Sequence, residues 1–105
     1  NGDTGMVEDT LGLQVIPLTA QIANQLGASS ETEGLVIASV DSNSDAGRKG
    51  LRRGDIILTA NYRGVTTVDA LEAIVTEAKN ADRVAVLLRI QRRGQPARYI
   101  PVRLR

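Results

Sequence analysis

A chain with twelve aspartates and glutamates but no histidine and no cysteine has few routes to covalent chemistry. Histidine is the commonest general base near neutral pH and the commonest metal ligand. Cysteine would supply the alternative nucleophile and a soft metal ligand. A serine nucleophile still needs a base, and without imidazole that role falls to lysine. Only Lys49 and Lys79 exist. Lys79 falls at an expected helix end and Lys49 in an expected turn, where an ammonium group stays hydrated and protonated. No G-x-S-x-G segment is present. The carboxylates are numerous, but none sits in an apolar stretch that would raise its pKa into the range of a general acid. Gly2, Gly5 and Gly12 are not bracketed by a strand and a helix, as a phosphate cradle requires. The expectation is a chain with no catalytic residue, no metal and no cofactor.

One non-covalent chemistry stays open at Thr10-Leu11-Gly12-Leu13. A glycine between two bulky apolar residues at a strand entry allows consecutive N–H groups to converge on one point. Such a backbone nest binds a carboxylate. Glycine suits it because a ligand approaches the main chain closely and the dihedrals can exclude a Cβ. The same tripeptide also fits an ordinary strand start.

The elements that would position this loop follow from hydrophobic spacing. Residues 1–9 (NGDTGMVED) are polar and read as a linker or flexible N-terminus, with the domain running over residues 10–105. Leu11 to Ile16 reads as a strand with Leu11, Leu13 and Val15 on one side, ended by Pro17. Thr19 is placed as the N-cap of a short helix over 20–26, stopped by Gly27. Gly34 to Val40 is an apolar run of the kind a buried strand shows. A single helical turn fits 44–49, stopped by Gly50, before a strand over 55–61. Tyr62-Arg63-Gly64 reads as a turn. Thr66 or Thr67 caps the main helix. Its apolar positions Val68, Leu71, Ile74, Val75 and Ala78 form one face, and Asn80 is its stop. Strands over 83–91 and 97–104, joined by a turn at 92–96, make a hairpin.

This pattern gives an α+β fold: a small, partly open antiparallel barrel or sandwich of five to six strands. One main helix and one or two short ones flank it. With no Phe, no Trp and only Tyr62 and Tyr99, the core must be aliphatic. No apolar run approaches the ~20 residues needed to cross a bilayer, and no signal peptide opens the sequence. Residues 1–47 hold seven acids and no base, and residues 83–105 hold seven arginines and no acid. The arginines alternate with apolar residues along strands, the pattern of a solvated sheet face. A nucleic-acid partner is therefore not expected, nor is membrane insertion.

Three stretches resemble the PDZ domains of the bacterial HtrA/Deg (protease Do) family. Leu11-Gly12-Leu13 resembles the carboxylate-binding loop. Ser44 to Ile57 (SDAGRKGLRRGDII) resembles the S-P-A-x-x-A-G-L-x-x-G-D-x-I signature, with Asp45 where Pro is usual and Gly47 where a helix former is usual. Asn61 to Leu71 (NYRGVTTVDAL) resembles the N-G-x-x-V-x-S-x-x-x-L segment, with Tyr62 in place of Gly. The hairpin ending is most similar to the second, C-terminal PDZ domain of the family. The 44–57 signature has a scaffold explanation: Gly50-Leu51 ends a turn and buries a leucine, and Gly54-Asp55 turns into a strand.

The resemblance implies a non-catalytic, peptide-binding module of an oligomeric, periplasmic serine protease. A peptide or unfolded segment would add as a strand along Leu13, Gln14, Val15 and Ile16. Its terminal carboxylate would meet the N–H groups of Leu11, Gly12 and Leu13. Its last side chain would be walled by Leu11, Leu13 and Val75, with Val15 nearby. Glu72, Val75 and Lys79 would face the groove from the helix, while Leu71, Ile74 and Ala78 fit the core. Glu8 and Asp9 stand where many such domains carry a basic residue. Two alternatives remain: an assembly module with a blocked or weak groove that contacts other subunits, and a PDZ domain of another envelope protein.

Overall fold

The computed structural model describes residues 5–29, 31–92 and 95–104. Among these, strands β1 (Leu13–Pro17), β2 (Leu35–Val40), β3 (Ile56–Ala60), β4 (Arg63–Gly64), β5 (Ala85–Gln91) and β6 (Arg98–Arg103) form one sheet. Its order is β1-β2-β3-β5-β6, with β4 hung on β3, and every pairing is antiparallel. The sheet stays open, with β1 and β6 at its edges, in accord with the expected α+β architecture. Helices α1 (Gly5–Leu11), α2 (Ala20–Gln25), α3 (Asp45–Arg48) and α4 (Val68–Asn80) complete the described chain. None is long and apolar enough to cross a membrane.

The caps follow the sequence. Thr19 Oγ1 accepts the Ile22 N–H, and Gly27 stops α2 with φ 78°. Of the two threonines offered for α4, Thr67 is the cap, its Oγ1 accepting the Ala70 N–H. The helix ends at Asn80, as expected, with Ala81 as its C-cap, and the left-handed residue beyond it is Asp82, at φ 57°. Ser44 caps α3 and Gly50 stops it at φ 88°. Gly47 departs from the family pattern for a steric reason: a Cβ there would lie 2.6 Å from the Asp41 carbonyl oxygen.

One expectation is corrected at the N-terminus. Residues 5–9 belong to helix α1, not to a linker, and residues 1–4 lie outside the described residues. Val7 and Leu11, one helical turn apart, are both buried in the main core. That burial holds the short helix, and it moves the start of β1 from Leu11 to Leu13. The rest of the core is aliphatic, as composition required: Leu13, Val15, Leu35, Ile37, Ile57, Leu71, Val75 and Leu88 are fully buried between sheet and helices.

Two clamps hold the periphery. Asp55, almost fully buried, accepts from Arg92 Nε at 2.9 Å and Nη2 at 2.8 Å, and from the Arg52 N–H at 3.1 Å. Arg92 also donates to the Gly50 carbonyl, so the 50–55 turn is fastened to the end of β5. On the other edge, α3 covers β6. Asp45 accepts the Arg103 N–H at 2.9 Å and pairs with Lys49, while Lys49 also donates to the Pro101 carbonyl. These contacts, with Pro101 itself, leave little of that edge free to pair. The Arg103 N–H, then Lys49, hold the Asp45 carboxyl below its ordinary value.

Candidate groove between the first strand and the main helix

Among the described residues, strand β1 has a neighbour on one side only. The Gly12 carbonyl accepts the Asp41 N–H, and the Leu18 N–H donates to the Gly34 carbonyl. In an antiparallel pair the bonding direction alternates residue by residue. Gln14 and Ile16 therefore turn their backbone groups toward β2, opposite Ser39 and Val36. Leu13, Val15 and Pro17 turn theirs to the open edge, where Pro17 offers only a carbonyl. Helix α4 lies against β1.

The apolar residues named as pocket walls have another present role. Leu11, Leu13, Val15 and Val75 are fully buried and belong to the core cluster that also holds Leu71, Ile74 and Ala78. Their side chains are sealed within that cluster. Of the remaining candidates, Ile16 is 42% exposed, Gln14 and Glu72 are half-buried, and Lys79 is exposed.

The loop geometry corrects the expected nest in one respect. Gly12 takes φ 75°, the left-handed conformation that ends a helix with least strain. Its N–H donates to the Glu8 carbonyl at 2.9 Å and so completes the last turn of α1. Leu11 is itself helical. The three N–H groups of Leu11, Gly12 and Leu13 therefore do not all point to one vacant site; the outward one belongs to Leu13.

Glu8 has a role that its charge alone did not disclose. Its Oε2 accepts from Gln14 Nε2 at 2.9 Å, and Gln14 Oε1 accepts from Ser39 Oγ at 3.0 Å. This side-chain relay ties α1 across β1 to β2. Its sequence signal was weak, because the three polar residues are separated by a helix end and a strand pairing.

Residues 10–98 match the PDZ domain family. A probable periplasmic serine endoprotease, DegP-like, from Brucella suis biovar 1 is 34% identical over 95 residues, covering 90% of this chain and 16% of the relative. A protein of the same description from Chlamydia muridarum is 32% identical over 90 residues, covering 86% of this chain and 17% of the relative. The chain thus spans about one sixth of the length of these relatives. Among solved structures, the HtrA3 PDZ domain bound to a phage-derived ligand, FGRWV, superposes with a TM-score of 0.69. That match covers 90% of this chain and 83% of that one at 23% identity, and shows likeness of fold. The HtrA-type protease AlgW, solved with a decapeptide, gives a TM-score of 0.65 at 30% identity, covering 90% of this chain and 29% of that one. The chain belongs to the PDZ domain family, of the kind found in DegP-like periplasmic serine endoproteases.

Proposed function

We propose that this chain is a non-catalytic peptide-binding module that takes up an extended segment along the open edge of β1. The observation that carries this reading is the free strand edge beside α4, with Leu13 and Val15 turning backbone groups outward. An incoming strand gains main-chain hydrogen bonds there, and alternate side chains supply specificity. The Leu13 N–H is the first donor for a terminal carboxylate, with the Gly12 N–H available once the last turn of α1 loosens. Gln14 and Ile16 flank the added strand, and Glu72 and Lys79 set the polarity of the helical rim. A pocket for the last side chain opens by parting Leu11, Leu13 and Val15 from Val75. That step lowers apparent affinity in proportion to the rarity of the open state.

The similarity to DegP-like proteins supports a place in the periplasm. It also supports a parent that is a serine endopeptidase, with this module assisting substrate recognition or regulation. A backbone-amide NMR titration with an apolar-ended peptide tests the binding reading. The expected shifts centre on Leu13 to Ile16 and the facing turn of α4. Shifts confined to β5 and β6, or none at millimolar peptide, would remove it.

A second reading has its own support. The complete burial of Leu11, Leu13, Val15 and Val75, and the engagement of the Gly12 N–H, suit a module whose groove is closed and whose surface contacts other subunits.

A further inference from the structure

The chain has two aromatic side chains, and neither is used in the core. Tyr62 is 73% exposed and Tyr99 49% exposed. Their rings touch, with centroids 5.5 Å apart, and the Arg89 guanidinium lies 5.9 Å from the Tyr99 ring centre. Rings that could have filled an aliphatic interior instead form a paired knob on the outer sheet face. Tyrosine and arginine are the residues most enriched where interfaces carry their energy.

The backbone beneath the knob is strained for its occupant. Asn61 and Tyr62 form the two-residue turn between β3 and β4, with φ of 50° and 68°. Glycine fits the second position of such a turn freely, whereas a residue with a Cβ does not. Below the knob, Thr59, Arg89 and Tyr99 form one cross-strand row, and the buried Thr59 hydroxyl has no hydrogen-bond partner among the described residues. Arg89 has no carboxylate partner there either.

An acidic counterpart borders this knob on the same chain. Arg63, next to Tyr62, bonds Glu77 of α4 at 2.9 Å. Glu77 in turn belongs to an open acidic stripe along α4, with Asp69, Glu72, Ala73, Thr76 and Asn80. Asp69 and Glu72 have no cation partner among the described residues.

A projecting basic–aromatic knob and an acidic helix face that meet at one border form a surface of self-complementary charge. Such a surface suits a two-fold contact, in which each copy presents both halves. We infer that this face is a docking site for a second copy of the chain. Tyr62 and Tyr99 of each copy lie against the acidic face of α4 of the other, and Arg89 meets Asp69 and Glu72. The Tyr62–Tyr99 knob and Asp69 take no part in the peptide reading, whereas Glu72 borders both faces of α4. Few residues take part, so the pairing is weak and reversible.

Sedimentation velocity of the chain from about 10 μM to about 1 mM covers the affinities expected of a small interface. The wild type is expected to show a reversible monomer–dimer equilibrium. Arg89→Glu and Glu72→Arg should each weaken it at least tenfold, because each sets like charges face to face twice. An equimolar mixture of the two variants should recover much of the association, since both 89–72 contacts then join opposite charges and only one contact to Asp69 sets like charges together. Tyr62→Gly, which suits the turn, should fold and lose the association. A wild type that stays monomeric at 1 mM would overturn the inference. So would single variants that associate like the wild type, or a mixture that fails to recover.

Discussion

Removing either partner of the Asp55–Arg92 pair should destabilise the fold strongly, and the two removals should be unequal. The Asp55 side chain is 3% exposed and that of Arg92 is 20% exposed. Breaking a buried ion pair from one side costs about 3–5 kcal/mol, because the remaining charge stays desolvated. In Asp55→Ala the guanidinium is left behind, and its partial exposure lets it regain water. The expected loss is therefore near the lower bound, about 3 kcal/mol. In Arg92→Ala the carboxylate is left behind, nearly sealed, with the Arg52 N–H beside it. That loss should approach about 4 kcal/mol. Arg92→Lys should recover less than half, because one ammonium cannot hold both carboxylate oxygens and the Gly50 carbonyl. Against a domain stability of about 5–15 kcal/mol these are large fractions. Urea unfolding at neutral pH, followed by far-UV circular dichroism, reads them directly. With a slope of about 1.5 kcal/mol/M, Asp55→Ala should lower the midpoint by about 2 M. A loss below about 1 kcal/mol for either alanine variant would refute the reasoning, since it would place the pair among exposed ones. An Asp55→Ala variant clearly weaker than Arg92→Ala would refute the ordering.

Leu71→Ala should cost about 2–5 kcal/mol through lost transfer energy and a cavity, whereas Glu72→Ala on the half-buried rim should stay within about 0.5 kcal/mol. Equal losses in chemical denaturation would show the phase of α4 to be wrong. Gly34→Ala places a Cβ 2.3 Å from the Ile57 carbonyl oxygen, so β2 and β3 must part; a loss of about 1–3 kcal/mol is expected, and an unchanged melting temperature would contradict it. The Asp45 carboxyl is held below 3.8 by the Arg103 N–H and by Lys49. A depressed folded pKa contributes stability that is fully present above the unfolded value and lost as pH falls through the folded one. The stability difference between wild type and Asp45→Asn should thus be level at neutral pH and shrink as pH drops below 3.8. A difference that stays constant into strong acid would rule this out.

Much of the fold was legible because its signals are local. Thr19 and the Thr66-Thr67 pair announce their helices by type and position, and the apolar run at 34–40 and the α4 face announce burial. The misreadings share a physical cause. Helix α1 has only seven residues, among polar neighbours, and what holds it is the burial of Val7 and Leu11 against distant elements. Val75 sits at the border of the helical stripe, and periodicity alone could not say that packing would seal it. The carboxylate loop depends on which N–H groups the backbone has already used, and that is set by the Glu8 carbonyl. The Tyr62–Tyr99 contact joins positions 37 apart in sequence through the register of β5 and β6 and the turn after β3.

An extended peptide is proposed to dock by its free C-terminus at the start of β1. Fluorescence anisotropy with labelled apolar-ended peptides, each made as the free acid and as the C-terminal amide, tests it most directly. Amidation removes the charge and turns an acceptor oxygen into a donor that cannot meet the Leu13 N–H. A hydrogen bond to a charged partner contributes about 1.5–3 kcal/mol, so the acid should bind roughly tenfold or more tightly. Equal affinities for acid and amide would contradict the carboxylate site, and no binding across a diverse library would leave the closed assembly module in its place.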